Sequence, residues 1–319
     1  MSSSVLITGA GTGIGLETAL YLAEQGFQVY ASVPDLSQQN GVDTAAAERG
    51  VSLQVLQLDV TDQPSIQSAV DTIVAESGGI YGLVNNAGLG LRGYFEDLSE
   101  EEISQVFEVN VFGTMAVTRA VLPHMRAARR GRIVIITSVG GRIGSLAVSA
   151  YGATKFAQEG FGESLAQEVV PFGIYVSLVE PAIIKTERWG VHRGVAKRAL
   201  NPESPYYAWF RESERLADRL VETSPTRPIH VAKTVYRALT AKRPKLRYVV
   251  GWRAGLVLTL RRYLPGELFE RVYFWQTIHM VTMPREPAKE LSELSAPGVV
   301  STDYPALSVA HKIEAKGND

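Results

Sequence analysis

The chain has 319 residues, of which 45% are hydrophobic and 20% charged, and its formal net charge is −1. This composition is typical of a globular protein, and the small net charge gives no electrostatic reason to expect a nucleic-acid partner. Because the sequence has no cysteine, disulfides, thiol catalysis and cysteine-ligated metals are excluded. We therefore expect small molecules or other proteins as partners.

The N-terminal segment MSSSVLITGAG enters an apparent strand almost at once and has no basic region, unlike a secretory signal. No apolar run approaches the roughly 20 residues that span a bilayer. The sequence thus predicts a cytoplasmic protein without a transmembrane segment. Residues 242–263 combine arginines and lysines with apolar residues, so this stretch could cover the core or lie on an anionic membrane, and peripheral membrane contact stays open.

Short apolar, β-branched runs alternate with amphipathic helical patterns through most of the chain. This alternation predicts an α/β fold, a doubly wound parallel sheet with helices on both faces. Ligands of such sheets bind beyond the carboxyl ends of the strands, so functional residues should follow the strands directly. The predicted strands cover residues 4–8, 27–33, 52–58, 81–86, 131–138, 173–180 and 246–250.

The first predicted strand ends in the glycine-rich turn TGAGTGIG, residues 8–15. Glycines permit a tight turn, and the amides that open the next helix can face a pyrophosphate with the helix dipole behind them. Such a turn alone also occurs for purely conformational reasons. At the end of a first strand it predicts a nucleotide site formed by Gly9, Thr12, Gly13, Ile14 and Gly15.

The second predicted strand ends in VYASVPD, where dinucleotide-binding folds commonly carry an acid for the adenosine ribose. Ser32 stands at that position, with neither a carboxylate for NAD nor an arginine just after it for NADP. The choice of cofactor is therefore open. We favour NADP, since no charge at Ser32 repels a 2′-phosphate and its hydroxyl could donate a hydrogen bond to one.

Six motifs in chain order resemble those of the short-chain dehydrogenase/reductase family, over about residues 4–250. They are TGAGTGIG (8–15), LDV (58–60), NNAG (85–88), Asn110 in EVNVFG, Ser138 and YGATK (151–155). The resemblance implies a Rossmann-like sheet with strand order 3-2-1-4-5-6-7 and a bound nicotinamide cofactor, NADP or NAD. It also implies interconversion of an alcohol with a ketone or aldehyde.

The resemblance assigns further cofactor contacts at the strand ends. In PAIIKT, which follows the sixth strand, Ala182 replaces the family's glycine, which leaves the local turn in question. Small residues in NNAG could also serve only for packing. The assigned contacts are Asp59, Val60, Asn86, Ala87, Gly88, Pro181, Ile184 and Thr186.

Tyr151, Lys155 and Ser138 are the predicted catalytic residues. Oxidation of an alcohol requires removal of the hydroxyl proton, but a phenol with a pKa of about 10 is a poor base at neutral pH. Lys155, four residues after Tyr151 on the same helix face, could stabilise the phenolate and donate to the nicotinamide ribose. Ser138 could donate to the substrate oxygen. The resemblance adds Asn110, binding a water that continues the proton path from Lys155.

Two regions depart from the alternation of strands and helices. We predict one Rossmann-like catalytic domain over 1–282, with an insertion at about 187–225, and a C-terminal tail over 283–319 that is rich in proline, serine, alanine and charge. In the family the insertion covers the substrate. Its aromatics could line an apolar pocket or pack on the body of the domain. They are Trp189, Tyr206, Tyr207, Trp209 and Phe210.

The segments VYASVPD and KLRYVVG further resemble the retinol and hydroxysteroid dehydrogenase branch. We therefore expect a lipophilic alcohol or ketone, of steroid, retinoid or long-chain type, as substrate. Two alternatives remain: a reductase of small polar carbonyls, and a non-catalytic nucleotide-binding regulatory protein. The five histidines show no metal-like pairing, so no metal site is predicted. By resemblance, helices near 100–128 and 150–171 form the interface of a homodimer or homotetramer.

Overall fold

A seven-stranded parallel sheet in the order β3-β2-β1-β4-β5-β6-β7 forms the centre of the protein. The computed structural model describes residues 3–185 and 193–282. This sheet confirms the predicted fold class and strand order, with bounds that differ from the predictions by a few residues. The strands are β1 (Ser4–Ile7), β2 (Gln28–Val33), β3 (Gln54–Gln57), β4 (Gly82–Asn85), β5 (Gly131–Ile136), β6 (Ile174–Pro181) and β7 (Arg247–Val250).

Helices cover both faces of the sheet, because the central strands carry apolar side chains in both directions. Helices α3, α5 and α6 pack on one face through residues such as Val70, Val121 and Leu165. Helices α1, α2 and α8 pack on the other, through Ala19, Val42 and similar residues. The helices are α1 (Gly13–Glu24), α2 (Gln39–Glu48), α3 (Gln63–Ser77), α4 (Glu100–Phe107), α5 (Thr114–Ala128), α6 (Ser149–Val169), α7 (Tyr207–Glu222), α8 (Pro228–Thr240), α9 (Trp252–Tyr263) and α10 (Gly266–Thr282).

Residues Glu108–Gly113, between α4 and α5, form a π-helical turn. Helix α4 begins with a capping box, in which Ser99 and Glu102 each bind the other's backbone amide. The π-helical turn then contains about one residue more than an α-helical turn, which changes the direction of the side chains before α5 begins. Such turns are frequent at functional sites. The turn buries Asn110 completely, beneath the carboxyl ends of the central strands.

The described part of the insertion packs on the segment between β4 and α5. A bridge pairs Arg92 with Val195 of the insertion, and Phe210 of α7 is buried in an apolar cluster with Leu91 and Val106. No helix in the ranges 3–185 and 193–282 has the length and apolar character that crossing a bilayer requires. The predicted tail, 283–319, lies outside the described residues, as do Thr186 and Trp189, and the extent of the catalytic domain stays a prediction.

Candidate active site

The glycine turn after β1 has the backbone geometry that its sequence predicts. Gly9 and Gly13 adopt φ values of +64° and +57°, in the left-handed region that favours glycine. Helix α1 begins at Gly13, and no acidic residue occupies its first turn. The positive end of this helix therefore faces the edge of the sheet without a competing carboxylate on its own first turn, which suits an anionic pyrophosphate.

The NNAG segment after β4 is fastened to this turn. The Asn86 side-chain amide donates to the carbonyl oxygens of Thr8 and Gly9, each at 2.9 Å. The Thr8 hydroxyl in turn accepts from the backbone amides of Asn86 and Ala87, each at 3.0 Å. A Cβ added at Gly15 would lie 2.3 Å from the Gly9 oxygen and 2.4 Å from the Asn86 amide nitrogen. The turn and the NNAG segment thus form one tightly packed unit.

The residues predicted on the adenosine side lie at the ends of β2 and β3. Asp59 accepts hydrogen bonds from the amide and hydroxyl of Thr61, at 2.9 and 2.8 Å. Val60 packs where Gly113 leaves room for it, since a Cβ on Gly113 would lie 2.6 Å from its Cγ2. Ser32 is fully buried, and its hydroxyl has no hydrogen-bond partner within the described ranges. Such an unsatisfied buried hydroxyl is a group that a bound ligand could satisfy.

The segment after β6 carries the remaining predicted cofactor contacts. Pro181 is the last residue of β6, and the Ile184 side chain is buried in the core cluster on the α1 face. The Ala182 amide donates to the Val250 carbonyl at 2.9 Å, which continues the pairing of β6 with β7. The alanine in place of the family's glycine is therefore accommodated by the strand end.

Ser138 follows β5 and lies beside Tyr151 at the start of α6. Its extended backbone, with φ −168° and ψ 157°, allows its hydroxyl to accept from the Gly140 amide at 3.0 Å. A Cβ built on Gly140 would lie 3.3 Å from the Ser138 hydroxyl oxygen and 3.9 Å from Tyr151 Cε1. Burial raises the pKa of the Tyr151 phenol, and the nearby Ser138 side chain acts in the opposite direction. The structure thus brings two of the predicted catalytic residues to the same place.

Lys155 lies one helical turn after Tyr151 and is almost completely buried, with 6% of its surface exposed. Its ammonium donates to the Ile136 carbonyl at 3.0 Å and to Gln158 Oε1 at 2.8 Å, and lies 5.7 Å from the centroid of the Tyr151 ring. Burial lowers the pKa of Lys155 to about 8, and the Glu159 carboxylate opposes that shift. The cation is therefore held beside the phenol by neutral acceptors.

Asn110 lies close to this group and hydrogen-bonds several protein partners. Its side-chain oxygen accepts from the Leu89 amide at 2.7 Å, and its nitrogen donates to the Leu89 carbonyl at 2.9 Å and to the Thr154 hydroxyl at 3.0 Å. Its carbonyl accepts from Gln158 Nε2 at 2.6 Å. Asn110 therefore connects the segment that follows NNAG to helix α6. Gln158 was not predicted from the sequence, although a polar residue on the buried face of α6, three positions after Lys155, was a signal for it.

Two of the four described insertion aromatics, Phe210 and Tyr206, pack on the domain. Phe210 is 1% exposed among residues that include Leu91 and Val106. Tyr206 stacks on Tyr94, with ring centroids 5.0 Å apart, and donates to Glu96 at 2.9 Å. Trp209, in contrast, is 45% exposed. The sequence left open whether these aromatics line a pocket or pack on the domain, and Phe210 and Tyr206 pack on the domain.

A mainly apolar cavity of about 360 Å³ lies between α10 and the beginning of α6. Gly152, the residue after Tyr151, forms part of its wall, whereas Ser138, Tyr151 and Lys155 do not. Helix α10 was not identified from the sequence as part of a pocket. Other residues in the wall are Ser145, Leu146, Phe156, Tyr273, Phe274 and Ile278. Among the residues that the structure describes, no group of three or more histidine, aspartate and glutamate side chains could hold a metal.

Known proteins resemble this chain in both sequence and fold. Residues 3–193 match the family model described as short chain dehydrogenase. Retinol dehydrogenase 8 of Bos taurus is 38% identical over 84% of this chain and 88% of its own. 17-beta-hydroxysteroid dehydrogenase type 1 of Homo sapiens is 37% identical over 82% and 78%. A solved short-chain dehydrogenase from Streptomyces avermitilis superposes with a TM-score of 0.73 at 32% identity, covering 87% of this chain and 98% of the other.

These matches extend across the glycine turn, the NNAG segment and the group formed by Ser138, Tyr151 and Lys155. The fold, the order of the motifs and the relatives agree with one another. The chain belongs to the short-chain dehydrogenase/reductase family, in the branch that includes retinol and hydroxysteroid dehydrogenases, and is an NAD(P)-dependent oxidoreductase that acts on alcohols.

Proposed function

We propose that this enzyme interconverts a lipophilic alcohol with its ketone or aldehyde, using Tyr151 as the acid and base. The observation that carries the proposal is the position of Ser138 and Tyr151 beside Gly140 at the carboxyl end of β5, with the buried Lys155 ammonium 5.7 Å from the centroid of the Tyr151 ring. A phenol, a hydroxyl and a cation at one place supply a proton carrier, a donor to the substrate oxygen and a charge that stabilises the phenolate.

The glycine turn, Thr12 and the amides that open α1 would hold the pyrophosphate of a dinucleotide, and the ends of β2, β3 and β4 would hold its adenosine half. The positive φ of Gly9 and Gly13 and the buried, unsatisfied Ser32 hydroxyl support this fit. When bound, the nicotinamide supplies or accepts the hydride. We propose NADP as the preferred cofactor, because no carboxylate stands at Ser32 to repel its additional phosphate.

Tyr151, Ser138 and Lys155 each have a separate role in the proton transfer. In reduction, the protonated Tyr151 gives its proton to the oxygen of the substrate while Ser138 donates a hydrogen bond to the same oxygen. In oxidation, Tyr151 must first be ionised, which Lys155 favours through its charge. Because burial raises the pKa of Tyr151 in the free protein, the phenol is protonated at neutral pH. We therefore expect oxidation to accelerate as the pH rises above neutrality.

A lipophilic substrate is supported by the relatives and by the surroundings of the site. The mainly apolar cavity of about 360 Å³ adjoins the site through Gly152, the residue after Tyr151, although Ser138, Tyr151 and Lys155 do not line it. Retinol dehydrogenase 8 and 17-beta-hydroxysteroid dehydrogenase type 1 are named for large apolar alcohols. The alternatives are a reductase of small polar carbonyls and a nucleotide-binding protein without turnover.

Replacing Tyr151 by phenylalanine tests the chemistry. We expect Tyr151→Phe to lower kcat/KM by roughly 10³-fold while the Kd for NADP changes little, because the acid-base group is lost and the fold is kept. Tyr175→Phe is the matched control, since Tyr175 lies near the amino end of β6, at the opposite edge of the sheet. Unchanged turnover in Tyr151→Phe would exclude Tyr151 as the acid and base.

A substrate panel tests the specificity. Steroid, retinoid and long-chain alcohols and carbonyls would be compared with short hydroxy compounds, each with NADP and with NAD. We expect the largest kcat/KM for a lipophilic member with NADP. Activity confined to short polar members would refute the lipophilic pocket, and binding of NADP without turnover of any member would favour the regulatory alternative.

We also propose a homodimer or homotetramer formed through the region of α5 and α6. Phe112, in the π-helical turn before α5, is 53% exposed, and Phe156 of α6 is 44% exposed. Large exposed apolar side chains on neighbouring elements are typical of protein interfaces. Light scattering after size-exclusion chromatography tests this proposal, and Phe112→Glu should shift the protein to a monomer if the interface lies there, since Phe112 is not part of the cavity wall.

A further inference from the structure

We propose that Gln158 is a positioning residue that holds the Lys155 ammonium and takes the place of a relay water at the Asn110 carbonyl. The proton path that leaves Tyr151 and Lys155 then does not continue through Asn110. This inference rests on the proposed function, since it concerns the proton chemistry of Tyr151. It reassigns the water-binding role that the family resemblance gives to Asn110.

The geometry of Gln158 is defined by three hydrogen bonds. Its Oε1 accepts from Lys155 at 2.8 Å, and its Nε2 donates to the Asn110 carbonyl at 2.6 Å and to the Thr114 hydroxyl at 2.9 Å. An ammonium can only donate and a carbonyl can only accept, so these partners fix which end of the amide faces which. With 1% of its surface exposed, Gln158 has no competing solvent partners.

The Asn110 carbonyl accepts two side-chain hydrogen bonds. Besides the Gln158 amide, the Thr114 hydroxyl donates to it at 2.8 Å. A carbonyl oxygen has two lone pairs, so these two donors occupy the positions that a water would need. Gln158 therefore stands between Lys155 and Asn110 where a bridging water would otherwise connect them.

An amide and a water differ as bridges between a lysine and a carbonyl. Water both gains and loses protons, whereas a neutral side-chain amide does neither near neutral pH and only donates and accepts hydrogen bonds. Gln158 can therefore hold Lys155 without passing its proton to Asn110. The ammonium has three N–H donors, of which two are directed at Gln158 and the Ile136 carbonyl. The third N–H can point toward Tyr151, where we propose that cofactor and substrate bind.

The electrostatic surroundings explain why a neutral amide suits this position. On α6, Lys155 has the Tyr151 phenol on one side and the Glu159 carboxylate on the other, and Glu159 is the charge that acts on it. Its two hydrogen-bond partners, the Ile136 carbonyl on β5 and Gln158 on α6, are neutral. A second carboxylate at position 158 would cancel the positive charge that the phenolate requires.

The experiment compares Gln158→Met with Gln158→Ala. Methionine fills the space but offers no comparable acceptor, while alanine leaves room in which a water can bridge Lys155 and Asn110. We expect kcat to fall about 10- to 100-fold in Gln158→Met, through misplacement of the ammonium, and to recover in part in Gln158→Ala. In Gln158→Met the pH at which oxidation reaches half its maximum should rise by about one unit, because the ammonium loses an acceptor. Gln167→Met, at an exposed position of the same helix, is the matched control.

If Gln158 served only for packing, kcat would fall more in Gln158→Ala than in Gln158→Met. The larger cavity in Gln158→Ala would then make alanine the more damaging substitution, and activity would follow thermal stability in both variants. That order, or a wild-type kcat and pH profile in Gln158→Met, would overturn the proposal. If neither variant folds, Thr114→Val removes one hydrogen bond from the Gln158 amide and should raise the same pH midpoint by a smaller amount. Tyr151→Phe is measured in parallel. If substitution of Gln158 leaves activity unchanged while Tyr151→Phe loses it, only this inference is contradicted and the proposed function stands.

Discussion

Ala182 lies so close to Gly251 that a Cβ built on Gly251 would be 2.9 Å from the Cβ of Ala182. The two residues continue the pairing of β6 and β7, where the Ala182 amide donates to the Val250 carbonyl. Alanine stands where the family has glycine, and glycine stands across from it on the neighbouring strand end. The methyl group of Ala182 at the end of β6 thus fits because Gly251, at the end of β7, has no side chain.

We expect Gly251→Ala to lower the free energy of unfolding by roughly 2 kcal/mol or more, since it combines this clash with a φ of +120°. Replacing Ala182 by glycine in that background should restore the steric part but not the backbone part. Denaturant unfolding of both single variants and the double variant gives the coupling free energy, which should be about 1 kcal/mol. Strict additivity of the two substitutions would show that the contact carries no energy.

The pattern of apolar runs was sufficient to predict the sheet. All seven strands were predicted near their observed positions, because a buried parallel strand is a continuous apolar run, such as GRIVII in β5. The conformation of the glycine turn and the proximity of Ser138 to Tyr151 were also predicted, since each has a local geometric reason. Which partner each side chain selects depends on distant segments. Gln158 meets Asn110 across 48 positions, and no local pattern specifies that contact.

The contacts of the insertion and of the C-terminal helices could not be predicted from the sequence for the same reason. The aromatic residues in 206–210 could not be assigned to pocket or packing, because the outcome depends on Tyr94 and Leu91, more than 100 positions earlier in the chain. Helix α10 provides part of the cavity wall although its amphipathic pattern is weak. Long-range contacts of this kind are decided by the whole fold rather than by any single segment.

Gly15→Ala should abolish cofactor binding. The added methyl would lie 2.3 Å from the Gly9 oxygen and 2.4 Å from the Asn86 amide nitrogen, so the turn and the NNAG segment must separate. We expect the Kd for NADP to rise by at least 100-fold, measured by fluorescence titration, together with a lower Tm. Gly41→Ala is the control, because a Cβ there meets nothing within 4 Å and alanine favours the helix. An unchanged Kd in Gly15→Ala would place the pyrophosphate elsewhere.

Arg247→Met should destabilise the protein strongly at neutral pH. The Arg247 guanidinium lies 3.0 Å from Glu159 and 3.4 Å from Glu180, and both carboxylates are almost completely buried. Removing a cation that faces buried carboxylates costs about 3–5 kcal/mol. Arg49→Met, which breaks the exposed ion pairs with Glu17 and Glu24, should cost less than about 1 kcal/mol.

The destabilisation by Arg247→Met should also depend on pH. Burial and the nearby Glu159 raise the pKa of Glu180 above its usual 4.5, and loss of the arginine raises that pKa further. Stability contributed by a group with a raised pKa is present below the unfolded value and is lost as the pH rises through the folded value. Urea unfolding should therefore show a smaller difference from wild type at pH 5 than at pH 8. A difference that does not vary with pH would show that Glu180 keeps its charge in both proteins.

The free energy of unfolding should rise between pH 8 and pH 10 because of Lys155. Burial lowers the pKa of Lys155 from 10.5 to about 8, so in this window the unfolded chain holds a proton that the native protein has lost. When the unfolded state binds more protons, stability increases with pH. The contribution of Lys155 amounts to about 2 kcal/mol across these two units, at about 1.4 kcal/mol per pKa unit. Above about pH 10 the raised pKa of Tyr151 acts in the opposite direction, since the unfolded tyrosine loses its proton first.

Comparison with Lys155→Met isolates this contribution. Methionine has a similar length and no charge, and all other titrating groups are common to the two proteins. We expect the stability difference between wild type and variant to shift in favour of wild type by about 2 kcal/mol from pH 8 to pH 10, measured by urea unfolding without cofactor. Parallel pH profiles for the two proteins would mean that Lys155 keeps an ordinary pKa in the free enzyme. In that case the neutral acceptors on Ile136 and Gln158 would compensate its burial in full.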